Sequence, residues 1–282
     1  MDRRTFAAAM GAGALSPLAP RRSPLASTGR LKQSVSRWTY GSMPLRDLCT
    51  AARSIGLVGI DLLNREDWPV VRDMGLTCSM AYAVDRRGFI ANGFNNPANH
   101  AMLLAELEEA IPLAQAAGVP NLIAMFGNRQ GRNHAEGIDN CVSGLNRIKA
   151  LAEERGVTIC VELLNSKVDH QDYQGDRTFF GVEVMRRVAS PRVKLLYDIY
   201  HMQIMEGDVI RTIRDNAQWI GHYHTGGVPG RHEIDGTQEL NYHAVAQAIA
   251  DTGFTGFVAH EFQPAAADKL ASLRDAFRIC DV

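Results

Sequence analysis

VTICVELL, residues 157–164, is a short apolar run that carries one carboxylate, Glu162, near its C-terminal end. The same design returns three times further on. VKLLYDI (193–199) carries Asp198, WIGHYHT (219–225) carries His224, and GFVAHEF (256–262) carries Glu261. The four polar residues are separated by 36, 26 and 37 positions, about one or two strand-plus-helix units each. Apolar runs of this length read as strands buried on both faces of a parallel sheet. If the strands lie side by side, side chains near their common ends converge on one point. Three carboxylates and one imidazole there suit a hard divalent cation, with Mn2+ or Mg2+ favoured over a structural zinc.

Upstream, the pattern continues in VSRWTY (35–40), VGIDLL (58–63), TCSMAYA (77–83) and NLIAMF (121–126). Between the runs lie helical patterns over 44–55, 99–117, 135–155, 181–188, 208–216, 242–252 and 265–278. Gly156 and Gly253 stand where helix C-caps are needed. Eight strands alternating with helices predict an α/β fold, a (β/α)8 TIM barrel, in a single domain over 31–282. An open doubly wound sheet is disfavoured because no G-x-G-x-x-G follows the first strand. In a barrel, the site belongs at the C-terminal ends of the strands, where Glu162, Asp198, His224 and Glu261 fall.

Composition narrows the function. The chain of 282 residues is 46% hydrophobic and 22% charged with a net charge of −1, which argues against a nucleic-acid-binding surface. Its five cysteines are odd in number and form no C-x-x-C, so they read as buried or free thiols. Residues 1–30 differ from the rest. Arg3, Arg4 and Phe6 precede a small-residue apolar stretch, a pattern like a twin-arginine export signal. The stretch is shorter than the roughly 20 residues of a membrane span. The expectation is therefore a signal or disordered leader over 1–30, periplasmic export with no stable membrane association afterwards, and cytoplasmic residence as the alternative. A homo-oligomer is compatible with the sequence.

From about Ser34 to Phe262 the chain resembles the xylose-isomerase-like barrels, and most closely their hydroxypyruvate isomerase branch. The matching segments are VELLNS around Glu162, YDIYHMQIMEGD around Asp198, HYHTGGVPGRHEIDGTQELNY around His224, and HEF around Glu261. The resemblance implies a metal held by Glu162, Asp198, His224 and Glu261. It implies acid/base roles for Glu162 and Glu261, and substrate contacts for His201 and Arg231. His222 shares the strand face of His224 by the period of two and is a further substrate-binding candidate. His170 reads equally as a lid residue or a surface histidine. Trp38, Tyr40 and Trp68 read first as core, with an apolar pocket wall as the alternative.

One feature departs from the branch, in which Gln often stands where this chain has His224. The related ketose 3-epimerases have His there. The expected activity is a metal-dependent isomerisation of a small hydroxy-carbonyl compound, hydroxypyruvate to tartronate semialdehyde, through Glu-mediated proton transfer and an enediolate. A ketose 3-epimerase and a keto-polyol dehydratase are the chemical alternatives. An apurinic endonuclease would need more histidine ligands and a positive surface. A non-catalytic sugar-binding barrel would not need four intact ligands.

Overall fold

The structure is a computed structural model that describes residues 29–84 and 88–282. The expected leader over 1–30 lies almost wholly outside the described residues. The nine strand segments are β1 (Lys32–Ser36), β2 (Gly59–Asp61), β3 (Thr77–Cys78), β4 (Ala81–Tyr82) and β5 (Asn121–Met125), then β6 (Thr158–Leu163), β7 (Val193–Asp198), β8 (Ile220–Thr225) and β9 (Phe257–His260). All pair in parallel, in the order β3-β2-β1-β9-β8-β7-β6-β5-β4. A parallel bridge between Leu63 and Ala81 brings the ends of that order together. The result is a single TIM barrel in which β3 and β4 share the third strand position. Helices His100–Ala117, His134–Asn146, Thr178–Val188, Tyr242–Asp251 and Lys269–Cys280 are the longer members of the outer layer. None of the described helices is long and apolar enough to cross a membrane.

The third strand was expected as one run, and its division has a local cause. Leu62 takes a left-handed backbone conformation at φ 54°, which bends the second barrel strand just after Asp61. The ladder therefore pairs Ile60 with Cys78 below the bend and resumes through Leu63 above it. The first strand also ends earlier than the apolar pattern suggests. It stops at Ser36, and Trp38–Tyr40 form a 3-10 turn in which Thr39 Oγ1 donates to the Ser36 carbonyl at 3.0 Å. This turn lifts Trp38 out of the core. The predicted helix over 135–155 is two helices, broken where the amides of Arg147 and Ile148 bond three residues back rather than four. A short helix, Ile199–Met205, follows β7 directly and uses Asp198 as its N-cap.

The barrel interior is unusually polar. Ser34, Asp61, Ser79 and His222 are buried there, while Gln33 and His260 are buried on the outer face of the strands, where Gln33 Nε2 donates to the Phe277 carbonyl of the last helix at 3.2 Å. Each set pairs within itself: Ser79 Oγ lies 2.9 Å from Ser34 Oγ, and His260 Nε2 lies 2.9 Å from Gln33 Oε1. Burying such groups costs free energy unless each finds a partner, so the inner set fixes orientation below the mouth. All five cysteines are free and buried, with no disulfide.

Candidate functional site

The register of the parallel ladders brings the four ligand-type residues level with one another. Asp198 ends β7 and pairs with His224 of β8, and the Glu261 amide donates to the Thr225 carbonyl just beyond β9. Glu162 sits one residue before the end of β6, opposite Met125. The candidate ligand atoms of Glu162, Asp198, His224 and Glu261 all lie within 4.8 Å of one another. From His224 Nδ1 the distances are 2.6 Å to Glu261, 3.4 Å to Glu162 and 3.9 Å to Asp198. All four residues are buried.

The other edge of the His224 ring belongs to Asp61, whose Oδ2 lies 2.9 Å from Nε2. His224 Nδ1 is buried without a hydrogen-bond partner. It faces three carboxylates, the nearest at 2.6 Å, and once the ring and these groups are deprotonated none of the four can donate to another. A converging set of buried acceptors fits a hard cation, and this is the structural observation that a divalent metal ion would satisfy. Charges in the site are strongly displaced. Burial pushes the Glu162 carboxyl up to about 7, reinforced by the neighbouring Glu261 and Asp198 charges. Burial also raises Asp198. For Glu261, burial acts upward, but His224 and Arg231 outweigh it and hold the group well below the usual carboxylate range. His224 itself is lowered by burial and raised further by Glu261, Asp61 and Glu162, which leaves a net upward shift.

Arg231 is placed more deeply than a loop arginine needs to be. Its loop is drawn in by tight contacts: the Tyr242 hydroxyl donates to the Gly226 carbonyl at 2.7 Å, and the Gln263 amide donates to the Arg231 carbonyl at 2.6 Å. A Cβ on Gly227 would stand 2.2 Å from the Glu233 carbonyl oxygen, so only glycine fits this turn. Arg231 is held at φ 58°, a strained conformation for a long side chain. Its Nη2 donates to Asp198 Oδ2 at 2.8 Å and to Glu261 Oε2. Nη1 donates to His201 Nε2 at 2.6 Å, and Nε donates to the Glu261 carbonyl at 3.3 Å. Four donor contacts are thus made inside the protein. The guanidinium also lies 4.9 Å from the Tyr200 ring and 5.9 Å from the Trp38 ring.

His201 is buried between Arg231 and Asn165, whose Nδ2 is 2.7 Å from Nδ1 of the ring. Burial first, then the Arg231 charge, keeps its imidazole well below the ordinary histidine range, so it is neutral. His222 turns inward as the strand period requires, but it is fully buried against Asp61, with Nε2 3.1 Å from Oδ1. It does not line the cavity, so the expectation of a substrate contact is corrected: the residue lies one layer beneath the mouth. His170 borders the cavity, its ring 5.3 Å from that of His201.

The cavity above the four residues has a volume of about 390 Å³. Glu162, His201, Arg231 and Glu261 form its polar floor, and Tyr82, Phe89, Ile123 and Met125 are among its apolar lining. Trp38, read from sequence as core, borders it too, with its Nε1 donating to Glu261 Oε1 at 2.6 Å. Two contributors escaped the sequence reading. Asp61 had the same signal as the four ligands, a carboxylate late in an apolar run. Asp169, which accepts from Tyr200 at 2.8 Å and from Asn165 at 2.6 Å, lay in a polar loop with nothing to single it out.

A family model described as the xylose isomerase-like TIM barrel matches residues 52–278, and the chain belongs to that family. Among its relatives, a mouse protein with the provisional name hydroxypyruvate isomerase is 26% identical over 253 residues, 88% of this chain and 85% of its own length. The human protein of the same provisional name is 30% identical over 173 residues, 60% of this chain and 62% of its own length. A solved structure from Brucella melitensis, described as a family 2 AP endonuclease, superposes with a TM-score of 0.74 at 22% identity, covering 86% of this chain and 97% of that one. At that identity the likeness shows the fold alone.

Proposed function

We propose that this barrel is a divalent-metal-dependent isomerase of a small hydroxy-carbonyl compound, with Mn2+ or Mg2+ as the ion and hydroxypyruvate to tartronate semialdehyde as the specific conversion. The observation that carries the reading is the meeting of Glu162, Asp198, His224 and Glu261 around an unpartnered Nδ1 at the cavity floor. The names of the relatives that span most of the chain support the substrate. A bound divalent ion would supply Lewis-acid polarisation of a substrate carbonyl.

The protein side chains do the rest. Glu162 is poised near neutrality and can take a proton from carbon and return it at the neighbouring carbon. Glu261 is held ionised by His224 and Arg231 and is oriented by the Trp38 indole. His201 holds Arg231 Nη1 at the cavity floor, and the apolar wall limits water at the reacting carbons.

A second reading is a C3 epimerase of a neutral ketose. It is favoured by Arg231, whose contacts are with protein groups rather than free for a substrate carboxylate, and by a cavity larger than a three-carbon acid fills. In that case Glu162 and Glu261 would work from opposite faces of one carbon. The single imidazole among the four ligands and the near-neutral net charge do not favour a nuclease. Export of the folded enzyme through the Arg3-Arg4 leader is part of the proposal. The test is a substrate panel of hydroxypyruvate, ketohexoses and keto-inositols, with Mn2+ and with chelator. Turnover that needs Mn2+ on one substrate class supports the reading. Equal turnover in chelator would contradict it.

A further inference from the structure

Asp61 takes no part in the reaction proposed above and does not line the cavity, yet both of its oxygens are engaged. It is fully buried at the end of β2. Its Oδ1 accepts from Ser79 Oγ at 2.5 Å and lies 3.1 Å from His222 Nε2. Its Oδ2 lies 2.9 Å from His224 Nε2. The next residue, Leu62, adopts the left-handed backbone that bends the strand there. A buried carboxylate with no water-facing surface is costly to keep, and strain beside it adds to that cost.

An imidazole can offer only one lone pair when neutral, and the proton on its other nitrogen decides which. Carboxylates flank both nitrogens, Glu261 Oε2 at 2.6 Å from Nδ1 and Asp61 Oδ2 at 2.9 Å from Nε2; once a cation takes up Nδ1, the acceptor beside Nε2 holds the one proton that is left. Nδ1 is the atom that faces Glu162, Asp198 and Glu261, at 3.4, 3.9 and 2.6 Å. We propose that Asp61 is the positioning residue of this site: it fixes the His224 ring with its proton on Nε2 and its Nδ1 lone pair aimed at a divalent cation. Ser79 locks the Asp61 carboxylate in the rotamer that does this. The inference rests on the reading of the four residues as a metal site.

The test uses full-length protein and the metal ions alone. Asp61→Asn keeps the shape but can turn an N–H donor toward His224. Titration calorimetry with Mn2+ should show a ten- to hundredfold weaker Kd in Asp61→Asn, the usual cost of losing such a partner. Ser79→Ala should show a smaller loss in the same direction. Nitrogen-15 spectra of labelled histidines, with Mg2+ as a diamagnetic probe and His224→Gln to assign the signal, should show wild-type His224 protonated at Nε2. An unchanged Mn2+ Kd in folded Asp61→Asn would overturn the proposal, and so would a wild-type His224 protonated at Nδ1. The spectrum needs no variant of Asp61, so misfolding of Asp61→Asn leaves the question decidable. If wild type binds no Mn2+, the metal reading itself fails. If wild type binds and Asp61→Asn binds equally well, only the positioning role fails.

Discussion

The Trp38 indole N–H donates to Glu261 Oε1 at 2.6 Å and so ties the turn after the first barrel strand to the end of the last. The bond leaves Glu261 Oε2 for His224 Nδ1 and Arg231. Trp38→Phe removes the donor but keeps a ring beside Arg231. A hydrogen bond to a charged group is worth about 1.5–3 kcal/mol, so kcat/KM should fall roughly ten- to hundredfold, with little change in thermal midpoint. A variant with wild-type kinetics would show that the indole only fills space.

Glu162→Gln and Glu261→Gln keep a ligand oxygen and lose the proton shuttle. Each should cut kcat by roughly 10²–10⁴. Their Mn2+ affinity should fall less than that of Asp198→Ala. Near-normal turnover in both glutamine variants would confine these residues to binding.

Arg231 donates to Asp198, Glu261 and His201 at once, which an ammonium cannot copy. Arg231→Lys should therefore lower kcat/KM by at least about tenfold, the scale of one charge-assisted bond, and by the same factor on acidic and neutral substrates. A loss confined to an acidic substrate would show that the guanidinium reads the substrate carboxylate instead.

Glu162 holds its proton up to about 7 because it is buried among other carboxylates. A cation must displace that proton before the carboxylate can ligate it. From this group, Mn2+ affinity should weaken by about tenfold per pH unit below about 7, and the raised His224 adds a further proton that the cation must displace. Calorimetry between pH 5.5 and 8.5, roughly the range that brackets a group titrating near neutrality, checks this. In Glu162→Gln the slope should flatten. An unchanged slope would assign the proton to another ligand.

The barrel and the four converging residues were legible because both rest on short-range signals. A run of apolar residues with one polar side chain near its end is visible in the sequence, and parallel pairing then fixes where that side chain goes. Asp61 carried the same mark in VGIDLL, but no spacing rule links it to His224 across 163 positions. Trp38 takes its alternative place on the cavity wall rather than in the core because the strand ends at Ser36, a consequence of turn hydrogen bonds at Thr39 rather than of hydrophobic pattern. His222 was placed on the correct face, but a period of two says nothing of depth along the barrel axis. The commitment of Arg231 to the carboxylates depends on tertiary contacts from Tyr242 and Gln263, which no local pattern encodes.

The central claim is that carboxylates at a metal site move a proton between solvent-exchangeable oxygen and substrate carbon. The most direct measurement is turnover in D2O with Mn2+, on whichever substrate of the panel reacts, followed by proton NMR of product and residual substrate. Deuterium should enter at the carbon beside the carbonyl, and both turnover and labelling should vanish with chelator and in Glu162→Gln. Turnover that survives in Glu162→Gln with this carbon unlabelled would mean the hydrogen moves within the substrate without Glu162, and would contradict the account.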